Sequence, residues 1–95
     1  MSNIERFNNH RRKWLGMRVL YYPTKLEKKE CGNYVPLLAD VIKVLGMGLF
    51  ELHVLCPEGK NFTAKNVAIK VNYDDLGVWD YTEEYKNDYR GVKIE

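Results

Sequence analysis

Histidine and cysteine are scarce in this 95-residue chain: His10, His53, Cys31 and Cys56 are the full set. A zinc site needs about four soft ligands at suitable spacing, and neither a CxxC nor an HxxxH pair occurs. His53 and Cys56 are separated by an odd number of residues on one strand. They therefore face opposite sides and make no nucleophile–base pair. Gly46-Met47-Gly48 lacks the further glycine, lysine and helix of a phosphate loop and reads as a turn. Asp74, Asp75 and Asp80 have the chemistry of a hard-cation site, but a solvated acidic turn explains them more simply. The expectation is a protein that is not an enzyme, with no catalytic residue, metal or cofactor. Apolar runs are also short. None approaches the roughly 18 residues of a membrane span. The first residues are polar and basic, without the apolar core of a signal peptide, so a cytoplasmic setting and two free thiols are expected. The Asn61-Phe62-Thr63 sequon then reads as chance.

What is present is enough for one small globular domain. The chain is 45% hydrophobic and 13% aromatic, which excludes disorder along its whole length. Its size gives only a modest core and leaves little room for a deep substrate cleft. No internal repeat, low-complexity tract or linker interrupts it.

The pattern is mainly β. Arg18-Val19-Leu20-Tyr21-Tyr22 is β-branched and aromatic, and Pro23 ends it. Residues 24–34 read as a long polar loop. Val35 to Leu45 and Leu49 to Cys56 read as strands reversed at Gly46-Met47-Gly48, with Pro36 at a start or an edge. Phe50, Leu52, Val54 and Cys56 share one wholly apolar face, which must be the core face. Pro57-Glu58-Gly59-Lys60 reverses the chain again into Phe62 to Val67, with a bend at Lys65-Asn66. A closing segment follows, Gly77-Val78-Trp79-Asp80-Tyr81. Trp79 reads as core and Tyr81 as half-exposed, the alternative being a stacking platform for bases or a peptide. Thr82 is placed to cap a short C-terminal helix running to about Arg90. The expected core comprises Val19, Tyr21, Ala39, Val41, Phe50, Leu52, Val54, Phe62, Val67 and Trp79.

The charge is polarised. Net charge is +2, but residues 1–30 hold eight Lys/Arg against three Asp/Glu, and residues 71–95 hold three against seven. Ser2 with Glu5 forms a capping box ahead of a helical pattern carrying Ile4, Phe7, Trp14 and Leu15. Residues 1–16 are thus expected as a basic amphipathic helix, ended by Gly16. Arg6, Arg11, Arg12 and Lys13 on it, with Tyr81, are the candidate binding residues. Three readings stay open: contact with phosphates, contact with a protein partner, or a helix packed on the sheet with its charges solvated. The basic front and acidic end also suit contacts between copies, hence a homo-oligomer.

Several segments together resemble a family of small proteins of tailed bacteriophages. They are Leu37 to Val44, Phe50-Glu51-Leu52-His53-Val54-Leu55, Pro57-Glu58-Gly59 and Lys65-Asn66-Val67, with Val19 to Pro23 ahead of them. In that family a "VNLxVF" strand and a "DG" turn lead to a closing "GTWHWPE"; here Gly77 to Tyr81 stands at the closing motif, with Tyr81 at its second tryptophan. The resemblance covers about residues 18–84. It implies a small SH3-like antiparallel barrel over residues 17–84, between the N-terminal helix and an acidic, aromatic tail at 85–95. The alternative is an open sheet with the helix across one face. The resemblance carries no biochemical activity. The expected role is a protein–protein interaction module in the host cytoplasm or the virion, either as an assembly component or acting on a host protein. A nucleic-acid-binding accessory protein is the alternative.

Overall fold

A computed structural model describes residues 14–83. The helix expected over residues 1–16 lies outside them as far as Lys13, as do the expected C-terminal helix beyond Glu83 and the tail. The described part is mainly β. Five strands, β1 (Arg18–Tyr22), β2 (Leu37–Gly46), β3 (Leu49–Val54), β4 (Phe62–Ala68) and β5 (Val78–Tyr81), form one antiparallel sheet in the order β4-β3-β2-β1-β5. One short helix, α1 (Lys25–Glu30), lies between β1 and β2. The sheet is not closed. Its two edges meet at a single bridge, where Ile69 lies beside Trp79 and the Lys70 N–H donates to the Trp79 carbonyl at 2.6 Å.

The alternation in the sequence decides which face is buried. Val19 and Tyr21 of β1, and Phe50, Leu52 and Val54 of β3, point into the core. Irregularities in pairing then shift the parity. In β2 the inward residues are Leu37, Ala39 and Val41, followed by Val44, because the pairing slips between Val41 and Lys43. In β4 the inward residues Ala64 and Val67 are three apart, since an extra residue is absorbed between them. Asn66 there takes a left-handed φ of 55°, at the bend expected at Lys65-Asn66. Such bulges bend a strand and raise its twist, which curls the sheet. The Gly46-Met47-Gly48 turn has positive φ at all three residues. Met47, between the two glycines, carries the strained left-handed φ of a non-glycine residue, with its side chain out in solvent.

Four aromatic rings run through the core in edge-to-face contacts. Trp14 meets Phe50 at 5.4 Å, Phe50 meets Trp79 at 5.0 Å, and Trp79 meets Tyr81 at 4.9 Å. Each pair adds about 1 kcal/mol beyond its area burial. Every expected core residue is buried except Phe62, which is partly buried and packs at 6.2 Å on the Tyr21 ring.

Three expectations are corrected. Residues 24–34 are not all loop: Thr24 and Glu27 form a reciprocal capping box that starts α1. The two cysteines are not free. Cys31 and Cys56 form a disulfide, possible because the end of α1 and the end of β3 bring their Cα atoms to 5.1 Å. Tyr81 is not half-exposed. It is 8% exposed, because its register opposite Val19 turns the ring inward against Trp79.

Candidate interaction surface

The outer face of the sheet carries the residues that alternation leaves outside. One row, from β1 across β2 to the residue just past β3, is apolar. Leu20 lies opposite Leu38, and the Leu55 N–H donates to the Leu38 carbonyl at 2.9 Å. The next row is polar, with Arg18 opposite Asp40 and Asp40 opposite His53. Arg18 grips Asp40 with two donors, Nε to Oδ1 at 2.6 Å and Nη2 to Oδ2 at 3.3 Å. Both side chains are well exposed, so this ion pair fixes orientation more than it stabilises. Further along β2, Ile42 and Leu45 are again exposed apolar residues, 45% and 36%. With Leu38 at 47%, the outer side of β2 offers three exposed apolar residues, interrupted by the Arg18–Asp40 ion pair and by the exposed Lys43. Singly exposed apolar residues are normal on a protein; three on one side of a single strand make this side the strongest candidate contact surface among the described residues. Chemically it suits burial against another apolar surface, with Arg18 and Asp40 setting alignment at the rim.

A second surface lies at residues 70–77. The Lys70 ammonium sits 5.2 Å from the Tyr22 ring centre and 5.6 Å from that of Tyr73. It also donates to the carbonyls of Asn72 and Tyr73. This lysine is occupied by its own loop. The Asp75 carboxylate accepts from the backbone N–H of Val71 at 3.1 Å and of Asn72 at 2.8 Å. Those bonds hold its carboxyl below the usual range.

The residues singled out in the sequence are not brought together. Arg6, Arg11, Arg12 and Lys13 lie outside the described residues. Tyr81 is in the core and not on a surface. His53 stands on the outer face, while Cys56 is turned inward and bonded to Cys31. Of the three acidic residues, Asp75 binds its own loop and Asp80 accepts from the Tyr81 N–H at 2.8 Å. Among the described residues no group of three His, Cys, Asp or Glu side chains is placed to hold a metal ion. No helix among them is long and apolar enough to cross a membrane.

The apolar outer strip went unread in the sequence. Its signal was Leu37-Leu38-Ala39-Asp40-Val41-Ile42, a strand apolar on both faces where a one-sided sheet alternates. No protein-family model matches the chain, nor does any curated protein or solved structure.

Proposed function

We propose that this chain is a non-enzymatic protein-binding module of a tailed bacteriophage, built on a partly open SH3-like barrel. The barrel reading is supported by a four-strand meander, β1 to β4, whose first strand also pairs with the returning β5. It is supported too by sheet edges that approach each other at Ile69 and Trp79. The phage reading rests on the sequence motifs. The observation that carries the binding role is the apolar outer strip of Leu38, Ile42 and Leu45 beside the Arg18–Asp40 pair. Its partner is a protein, a phage structural protein or a second copy of this chain. Between host cytoplasm and virion, the Cys31–Cys56 disulfide favours the virion, since such bonds are rare in reducing cytosol and persist outside it.

Particles purified by density gradient and separated without reductant test this reading. The chain should co-purify at constant stoichiometry, and a Leu38→Lys, Ile42→Lys double variant should be lost from the particles. Absence of the chain from intact particles removes the virion role. A second reading, nucleic-acid binding, is favoured by the run of Arg6, Arg11, Arg12 and Lys13. It requires an affinity for DNA or RNA that falls steeply with added salt.

A further inference from the structure

The connection between β1 and β2 is attached to the sheet in an unusual way. Pro23 and Leu37 are buried at its two ends. Between them, across residues 24–36, Cys31 is the one buried residue. α1 itself contributes no buried side chain, and Leu26, its large apolar residue, is 67% exposed. A six-residue helix has little stability of its own, because nucleation is costly and only a few bonds repay it. Apolar burial therefore does not hold this segment down.

Two clamps do. One is a hydrogen bond from the Tyr21 hydroxyl to Glu27 Oε1 at 2.6 Å. The other is the disulfide from Cys31, the C-cap of α1, to Cys56 at the end of β3. The turn after β3 is shaped around that disulfide. A Cβ on Gly59 would lie 2.9 Å from Cys56 Sγ and 2.9 Å from the Glu30 carbonyl oxygen. The sheet core, by contrast, is assembled from residues such as Trp14, Phe50, Leu52 and Trp79, and the connection contributes only Cys31 to it. The fold thus joins a well-packed sheet to a strap whose main tie is a bond that thiol chemistry can open.

We propose that residues 24–36 are a redox-gated strap, closed by the Cys31–Cys56 disulfide and opened locally, with the sheet intact, when a small dithiol reduces that bond. In the reaction a dithiol thiolate attacks the sulfur of Cys56, the less buried of the two. The Cys31 sulfur leaves and takes up a proton. The second thiol of the reductant then attacks the mixed disulfide, releasing Cys56 as a thiol and closing the reductant into a cyclic disulfide. Two electrons pass to the protein. Opening frees Cys56 at the end of β3 and leaves the Tyr21–Glu27 hydrogen bond as the remaining side-chain hydrogen bond from α1 to the sheet, beside the close packing of Gly32 on Glu58.

The test is amide NMR on the full chain, oxidised and then treated with dithiothreitol, with a two-dalton mass gain confirming reduction. Backbone signals of residues 25–34 should move to disordered positions with collapsed heteronuclear NOEs, while those of β1, β2 and β3 keep their dispersion. Trypsin should cut after Lys28 and Lys29 at least about tenfold faster than in the oxidised chain, with a smaller change after Lys43 and Lys65. A Cys31→Ser, Cys56→Ser double variant should match the reduced chain, and reoxidation of the parent should restore the closed state. Three results overturn the proposal: a bond that dithiothreitol does not reduce without denaturant, a reduced chain whose strap signals stay ordered, or loss of dispersion across the whole sheet. The last would make the disulfide a staple for the entire fold.

Discussion

At the scale of single residues, Trp79 and Tyr21 show how burial turns into measurable energy. Trp79 is fully buried between Phe50 and Tyr81 and also anchors the bridge that joins the two sheet edges. Trp79→Ala should cost about 3–5 kcal/mol, through lost transfer energy and an unfilled cavity. A melting temperature close to the parent's would show that the site collapses around the missing indole or that the indole is not core. Tyr21 offers a pH signature. Burial first, then the hydrogen bond to Glu27 and that residue's negative charge, push its phenol above the ordinary tyrosine range. Above a pH of about 10 the unfolded chain releases this proton while the folded chain keeps it. The associated stability is therefore fully present below that pH and declines as pH rises past it. Tyr21→Phe should cost about 1–2 kcal/mol near neutrality, from the lost bond to a carboxylate. Its stability should then fall less steeply than the parent's in alkaline denaturation. Equal slopes would remove Tyr21 as the titrating group.

At the scale of elements, the chain's local rules explain both what was legible and what was not. β3 was readable because Phe50, Leu52, Val54 and Cys56 alternate without interruption, and all four are buried. β2 was readable only as far as Val41. Beyond it, a bulge moves the inward position to Val44, and strict period-two counting misses that residue. α1 escaped because its signal is a capping box without an apolar stripe, so the usual helical periodicity was absent. The disulfide was hidden for a different reason. Pairing depends on Cα proximity in three dimensions, and 25 intervening positions say nothing of it. Among the candidate site residues, Tyr81 was legible in its orientation, two residues after Trp79 and so on the same face of an extended strand, but not in the depth of its burial. The bulge in β4 gives an element-scale prediction. Asn66 holds a left-handed φ, which glycine adopts freely and a β-branched residue does not. Asn66→Gly should leave the chemical denaturation midpoint nearly unchanged. Asn66→Val should lower stability by about 1–2 kcal/mol. Equal effects would mean that the backbone relaxes out of the bulge.

At the scale of the whole molecule, two candidate contact regions differ in physics: the outer side of β2 and the cationic sequence around Arg11 and Arg12. The outer strip of β2 is apolar and its affinity should be nearly indifferent to salt. The N-terminal segment is cationic, and its contacts should weaken as counterions screen them. Leu38→Lys with Ile42→Lys changes only exposed positions and should leave folding stability within about 0.5 kcal/mol per site. Arg11→Glu with Arg12→Glu reverses charge in the cationic N-terminal sequence. For a protein partner on the β2 strip, the first pair should raise the dissociation rate strongly. The second pair should act mainly on the association rate at low salt, because rim and remote charges steer encounter more than they hold a complex. For a nucleic acid the order reverses. The arginine pair should abolish binding to every sequence about equally, since phosphate contacts carry no base information, and the β2 pair should do nothing. The protein-partner pattern is the one the proposed function predicts, because Leu38, Ile42 and Leu45 expose apolar side chains along β2. Surface plasmon resonance at two salt concentrations, with virion proteins and with duplex DNA as analytes, separates the patterns. A folded quadruple variant that keeps every interaction of the parent would exclude both surfaces at once.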